Sequence, residues 1–243
     1  MQGTSSAMCL AAGLHDDIAV LDFRLNAMLH IHPDIGVVRS VKLPSEWFFN
    51  NLGKAMLVDP TQRIWIATGD DRLRVLPANG KDARSIVPDR NKPWSLPSSS
   101  VNALLLTREK TLWLGTEEGL VRLLPERSGQ IHLANWNSPS VVNAIESDAN
   151  GLLLASNGEG MIRLDPRTGR TDTIRSGLLS GTGGSAPAAM EDMITDLLRM
   201  SDGWLIGTRA GLRWWPDGSS HVHVPYPPTA SIHLLSERSV EQV

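Results

Sequence analysis

One cysteine, three phenylalanines and one tyrosine occur in 243 residues. The lone Cys9 excludes an internal disulfide and a cysteine-based zinc site, and it leaves the redox compartment open. No run approaches the about 18 apolar residues that a membrane-spanning helix needs. Neither sign of charge dominates: 23 Lys and Arg stand against 26 Asp and Glu, a formal net charge of −3. That balance argues against a nucleic-acid surface and against a polybasic membrane patch. The opening residues, MQGTSSAMCLAAGLHDD, carry no early positive charge and only a short apolar run. They do not read as a secretory signal. No Gly-x-Ser-x-Gly elbow is present. The glycine-rich run from Gly181 to Pro187 lacks the Gly-Lys-Ser/Thr ending of a phosphate loop and reads as an inter-element insertion.

What the chain does have is repetition. The best copy is TLWLGT followed by GLVRLLP, from Thr111 to Pro125. Others are RIWIAT with RLRVLP (Arg63 to Pro77), LLLAS with GMIRLDP (Leu152 to Pro166), and GWLIGT with GLRWWP (Gly203 to Pro216). A worn copy, MCLAA with DIAVLD, runs from Met8 to Asp22. Anchored on the small residue that closes the first phrase, the copies fall at Ala12, Thr68, Thr116, Ser156 and Thr208, with steps of 56, 48, 40 and 52 residues. Short strands recurring every roughly 40–50 residues mark a β-propeller blade.

Each blade has a legible internal order. An apolar strand precedes the anchor: AMLVD (Ala55 to Asp59), VNALLL (Val101 to Leu106), VVNAIE (Val141 to Glu146) and MITDLL (Met193 to Leu198). Continuous apolar strands suit sheets covered on both faces, as inner strands between stacked blades are. Gly119, Gly160 and Gly211 follow the anchors, where a sharp turn needs positive φ. The fourth strands, QIHLANW (Gln130 to Trp136), TDTIRS (Thr171 to Ser176) and HVHVP (His221 to Pro225), are polar, as an outer edge requires. Among eight tryptophans, Trp65 and Trp113 share one blade position and Trp204 sits one residue off it, which predicts filling between blades. The irregular Trp47, Trp94, Trp136, Trp214 and Trp215 are better suited to a flat ligand.

The predicted architecture is all-β: one propeller domain over 1–243, with about five four-stranded antiparallel blades near 1–50, 51–98, 99–138, 139–190 and 191–230. The segment 231–243 holds SIHLLSERS, which matches the inner strand VNALLLTRE. With Ala12 as anchor, no inner strand fits ahead of the first blade. Two arrangements satisfy this: the last segment closes the first blade as a ring, or the chain is a window on a larger, seven-bladed propeller.

TLWLGTEEGLVRLLP, with VNALLLTREK before it and the lead-in SLPSSSV (Ser95 to Val101), resembles the two-component regulator propeller repeat. The resemblance runs from about Met8 to Ser239 and is strongest at Thr111–Pro125 and Gly203–Pro216. It implies the ligand-sensing input region of a histidine kinase or diguanylate cyclase, periplasmic in such sensors. This sequence contains no kinase phosphoacceptor, ATP-binding region or GGDEF-type segment. The implied partner is therefore an output signalling domain in a longer relative.

Candidate chemistry is sparse. His30 with His32, and His221 with His223, sit two apart and could face one ion on a strand. They fall on poorly patterned segments without fixed carboxylates and read as structural, so no metal or other cofactor is assigned. Asp16–Asp17, Asp70–Asp71 and Glu117–Glu118 read as turn solvation. One polar position recurs on the inner strands: Asn102, Asn143, Thr195 and His233 each follow an apolar starter. Four polar side chains at one height would ring the channel mouth, a propeller's natural concavity. The expected function is a non-catalytic module that binds a small molecule, glycan or partner protein there. The alternative is a propeller enzyme, a lyase or glycan hydrolase, which needs carboxylates or histidines clustered at the same mouth. A third possibility is a scaffold that offers its broad face to proteins.

Overall fold

Every copy of the repeat is one small antiparallel sheet. The structure, a computed structural model, describes residues 7–13, 17–22, 24–45, 47, 55–68, 72–77, 81–89, 91–92, 95–97, 100–127, 130–136, 141–157, 160–174, 193–209, 211–219 and 222–223. Nineteen strands and no α-helix occur among these residues. No helix among them is long and apolar enough to cross a membrane.

The first sheet runs β1 (Ala7–Ala12), β2 (Ile18–Asp22), β3 (Ala27–His32) and β4 (Gly36–Lys42). The second is β5 (Ala55–Val58), β6 (Ile64–Thr68), β7 (Arg72–Leu76) and β8 (Arg84–Ile86). The third is β9 (Val101–Leu106), β10 (Leu112–Thr116), β11 (Gly119–Arg127) and β12 (Gln130–Trp136). The fourth is β13 (Val142–Asp148), β14 (Gly151–Ser156), β15 (Met161–Leu164) and β16 (Thr171–Ile174). The fifth is β17 (Ile194–Arg199), β18 (Gly203–Thr208) and β19 (Gly211–Pro216). Its outer edge is marked by an antiparallel bridge from Trp214 to His223, whose two backbone hydrogen bonds are both 2.7 Å. The fold is a β-propeller, with β1, β5, β9, β13 and β17 packed in succession as the inner strands.

The core lies between sheets. Trp65, on β6, is fully buried with Val101, Leu112, Leu114 and Val121 of the third sheet. Trp113 occupies the same place on β10 and packs with Val142, Leu152 and Ile162 of the fourth. Trp204 is one residue out of step. A strand's side chains alternate between its faces, so it points the other way and packs back on Leu153 and Ala155. The β-branched and aromatic residues of these strands, buried on both faces, give the apolar runs seen in the sequence. The glycines after the anchors take the expected positive φ: 110° at Gly119, 78° at Gly160 and 109° at Gly211.

The first blade differs from expectation. The strand Ala7–Ala12 was aligned with the anchor strands, but β1 is the inner strand and β2 takes the anchor place. The anchor there is Asp22. It pairs with Ala7, as Thr116 pairs with Val101, Ser156 with Val142 and Thr208 with Ile194. Its carboxylate accepts the backbone N–H of Arg24 at 2.9 Å and of Leu25 at 3.0 Å. Thr116 does similar work on its turn, accepting from the Glu118 N–H at 3.1 Å. An aspartate can replace a threonine in that role, and this hid the copy. The corrected step, Asp22 to Thr68, is 46 residues. The first sheet thus has four strands within residues 7–42. The segment 231–243, read as a closing strand, lies outside the described residues.

Candidate functional site

The recurring polar position has a structural cause. In four of the five inner strands the ladder slips at one residue. Thr116 faces Val101 while Gly115 faces Ala103, so the ladder skips Asn102. Asn143 is skipped in the same way between Val142 and Ala144, and Thr195 between Ile194 and Asp196. Met8 is the skipped residue of β1. A bulge frees one residue from the ladder and re-aims its side chain. The polar residues therefore leave their own sheets and turn toward the next blade.

Two of them reach it. The Asn102 side-chain amide donates to the Val142 carbonyl at 3.4 Å, and that of Asn143 donates to the Ile194 carbonyl at 2.8 Å. Each asparagine ties its inner strand to the starter of the next. Each is half-buried, while Thr195 is exposed. The three line one cavity of about 320 Å³ together with Asn157, Met193 and Arg209. His233, the fourth expected member, lies outside the described residues.

Asn157 and Arg209 were missed in the sequence, although a signal exists. Each directly follows an anchor, Ser156 or Thr208. Each backbone N–H donates to the residue before the neighbouring inner strand: Asn157 to the Val141 carbonyl at 3.4 Å, Arg209 to the Met193 carbonyl at 3.1 Å. Glu117 makes the same bond to Ser100 at 3.2 Å but does not line the cavity. The loop after the anchor is thereby pinned beside the bulge. Asn157 and Arg209 are both exposed at the mouth.

The described lining is three amides, one hydroxyl, one thioether and one guanidinium, without a carboxylate or an imidazole. Two acidic groups, Glu146 and Asp196, lie further along the same strands. Burial pushes the Glu146 carboxyl above its ordinary value, and the charge of Asp196 adds to that. Neither residue lines the cavity. No cluster of three or more metal-ligating side chains occurs among the described residues. His30 and His32 lie on β3, and the His32 Nδ1 accepts the Asp34 N–H at 3.2 Å. His221 and the Gly181–Pro187 run lie outside the described residues, as does Trp94. Trp47 packs beneath Arg74, 4.7 Å from ring centroid to guanidinium, and the Trp215 indole donates to the Ser219 carbonyl at 2.9 Å. Both are held in the framework.

The bulged inner strands thus stack as a β-propeller, with a polar cavity where they begin. Residues 95–118 match the family described as two component regulator propeller. Among solved structures it is similar to the extracellular domain of a hybrid two component system from B. thetaiotaomicron. The TM-score is 0.60 at 17% identity, over 87% of this chain and 27% of that one. It is also similar to a catalytically inactive virginiamycin B lyase from Staphylococcus aureus with quinupristin, with TM-score 0.63 and 11% identity, over 93% of this chain and 73% of that one. PorZ, a bacterial surface component of the type-IX secretion system of Porphyromonas gingivalis, gives TM-score 0.63 at 15% identity, over 90% and 33%. The chain thus spans about a quarter of that extracellular domain's length. No curated protein matches the sequence.

Proposed function

We propose that this propeller is a non-catalytic binding module that holds a hydroxyl-rich small molecule or the end of a glycan at the channel mouth. The observation that carries this is the lining: Asn102, Asn143, Asn157 and Thr195 converge with Arg209, and no described carboxylate or histidine joins them. Amides and hydroxyls both donate and accept, which suits a ring of ligand hydroxyls. A guanidinium adds donors in a fixed fork. Acid–base chemistry would need a titratable group within hydrogen-bond reach of the ligand. Glu146 and Asp196 do not line the cavity. The likeness to a two-component extracellular domain supports a sensory role outside the cytoplasm, with occupancy passed to an output domain of a longer protein. The likeness to a lyase is a likeness of fold.

Calorimetric titration with cellotetraose, xylotetraose and maltotetraose tests this reading. At least one should bind, and Arg209→Ala should weaken it about tenfold, the scale of one charge-assisted hydrogen bond. Arg209 is exposed, so its loss should leave the unfolding midpoint unchanged. Binding that is indifferent to Arg209, or cleavage of the bound sugar, would refute it.

A further inference from the structure

On the other side of the blades, where the inner strand turns into the anchor strand, a cation recurs beside a fixed counter-ion. The counter-ion seat is the residue that ends the inner strand: Asp59 in the second blade, Thr107 in the third, Asp148 in the fourth. The match is set by the turns that follow. Gln62, Lys110 and Gly151 each stand three residues on, with φ of 63°, 61° and 126°. In each case the seat side chain also accepts a backbone N–H of its own turn: from Thr61 at 2.8 Å, Thr111 at 3.4 Å and Asn150 at 2.7 Å.

Two seats hold an arginine. Asp59 takes the Arg63 Nε at 2.8 Å. Asp148 takes the Arg163 Nη1 with both carboxylate oxygens at 2.9 Å. Arg122 is the direct equivalent of Arg163: it pairs with Trp113 as Arg163 pairs with Leu153, and each of those partners lies three residues before its anchor. Its seat is Thr107, which brings no charge. The Arg122 guanidinium lies 5.8 Å from the Trp113 ring centroid, and its Nε is buried without a hydrogen-bond partner. No carboxylate among the described residues pairs with it.

A crevice of about 920 Å³ opens at this point between the third and fourth sheets, lined by Thr107, Thr111, Arg122, Ser147 and Asn150 among others. Its other charges are already matched. Arg163 holds Asp148, Asp217 holds Arg199 at 2.6 Å, and Arg167 stands 3.7 Å from Asp165. The Glu109 carboxylate is held by its own backbone N–H and by the Thr107 hydroxyl, with a smaller contribution from the charge of Arg108. Arg122 is left over. Arg122 is half-buried, and a guanidinium nitrogen shielded from water without a partner carries a cost that an anion accepting its hydrogen bond offsets.

We propose that this crevice is an oxyanion site, in which a carboxylate, sulfate or phosphate group of a ligand takes from Arg122 the place that Asp148 fills for Arg163. The planar fork of a guanidinium matches such groups with two parallel hydrogen bonds. The Trp113 ring holds the fork in position. The hydroxyls of Thr111 and Ser147 and the amide of Asn150 would meet the body of the ligand. The site is independent of the channel mouth.

Thermal unfolding in sodium sulfate, sodium phosphate and sodium glucuronate, each against sodium chloride at equal ionic strength, reads the site directly. A ligand that binds only the folded state raises the midpoint. The wild type should shift by several degrees with at least one of the three. Thr107→Asp installs the missing carboxylate, so it should raise the midpoint in chloride and abolish the further shift. Arg122→Gln should abolish the shift as well. A shift with glucuronate alone assigns a carboxylate, and one with sulfate or phosphate assigns a tetrahedral oxyanion; either supports the site. The two variants also cancel any general salting effect of sulfate. No oxyanion-specific shift in the wild type, or an undiminished shift in Thr107→Asp, would overturn the proposal.

Discussion

The indole Nε1 of Trp65 donates a 2.9 Å hydrogen bond to the Asp59 carboxylate. This bond joins the end of an inner strand to the tryptophan that fills the space before the next blade. The same carboxylate takes Arg63 and the Thr61 hydroxyl, so its two oxygens carry five hydrogen bonds. Burial pulls the Asp59 pKa upward. The bonds from Thr61, Trp65 and Arg63 together outweigh it and hold the carboxyl below its ordinary 3.8.

Asp59→Asn should therefore destabilise the protein by about 1–3 kcal/mol at pH 7, the cost of leaving charged and indole donors poorly matched. A depressed folded pKa gives stability that is present above the unfolded value and lost as pH falls through the folded one. Urea unfolding at pH 7 and below pH 3.8 checks this. The gap between wild type and variant should narrow in acid, and a constant gap would exclude a role for the charge.

Gly115 marks a close approach between the third and fourth blades. A methyl added there would meet the Val142 Cγ1 at 2.8 Å and the Val142 carbonyl oxygen at 2.9 Å. Gly115→Ala should cost about 1–3 kcal/mol through overpacking. Ala67 and Ala155 occupy the same ladder place in the second and fourth sheets, so the strand itself tolerates alanine. Val142→Ala in the Gly115→Ala background should return part of the loss, read as a coupling energy in a double-mutant cycle.

Glu146 carries the opposite sign from Asp59. Burial, with the charge of Asp196, raises its pKa. A raised folded pKa gives stability that is full below the unfolded value of 4.5 and lost as pH rises through the folded one. Glu146→Gln should then be more stable than wild type at pH 7, by under ~1 kcal/mol for a group that water still screens. The two should converge below pH 4.5, which urea unfolding across that range measures.

His30 sets an acid limit near neutrality. Burial lowers its pKa first and the charge of Arg39 lowers it further, against a weaker pull from Asp17. Its neutral form is favoured in the fold, so stability present above 6.5 is lost as pH falls through the folded value. His30→Gln should flatten that part of the pH profile, and an unchanged slope would assign it to other groups.

The blades were legible because their cores are built from one repeated phrase: Trp65 and Trp113 bury the same face of successive sheets, and burial on both faces leaves an apolar run in the sequence. The first blade was misaligned because Asp22 performs a threonine's turn bonding with a different side chain. The ring of Asn102, Asn143 and Thr195 was visible as a column, but its cause was not. A bulge is a property of pairing between strands, and no single strand records it. Asn157 and Arg209 come to the mouth through backbone bonds that pin the loop after each anchor to the start of its own blade's inner strand, which spacing along the chain does not display. The bare Arg122 emerges only when Thr107 is set beside Asp59 and Asp148 in register.

The claim that most needs testing is that ligand sits among the mouth asparagines and leaves unaltered. Side-chain amide resonances of Asn102, Asn143 and Asn157, followed by NMR during titration with the tetrasaccharide that binds, report on it residue by residue. The account predicts that these three move together while Asn150 on the far side stays still, and that mass spectrometry recovers the sugar intact. Perturbation centred away from the three, or a shortened sugar in the tube, would contradict it.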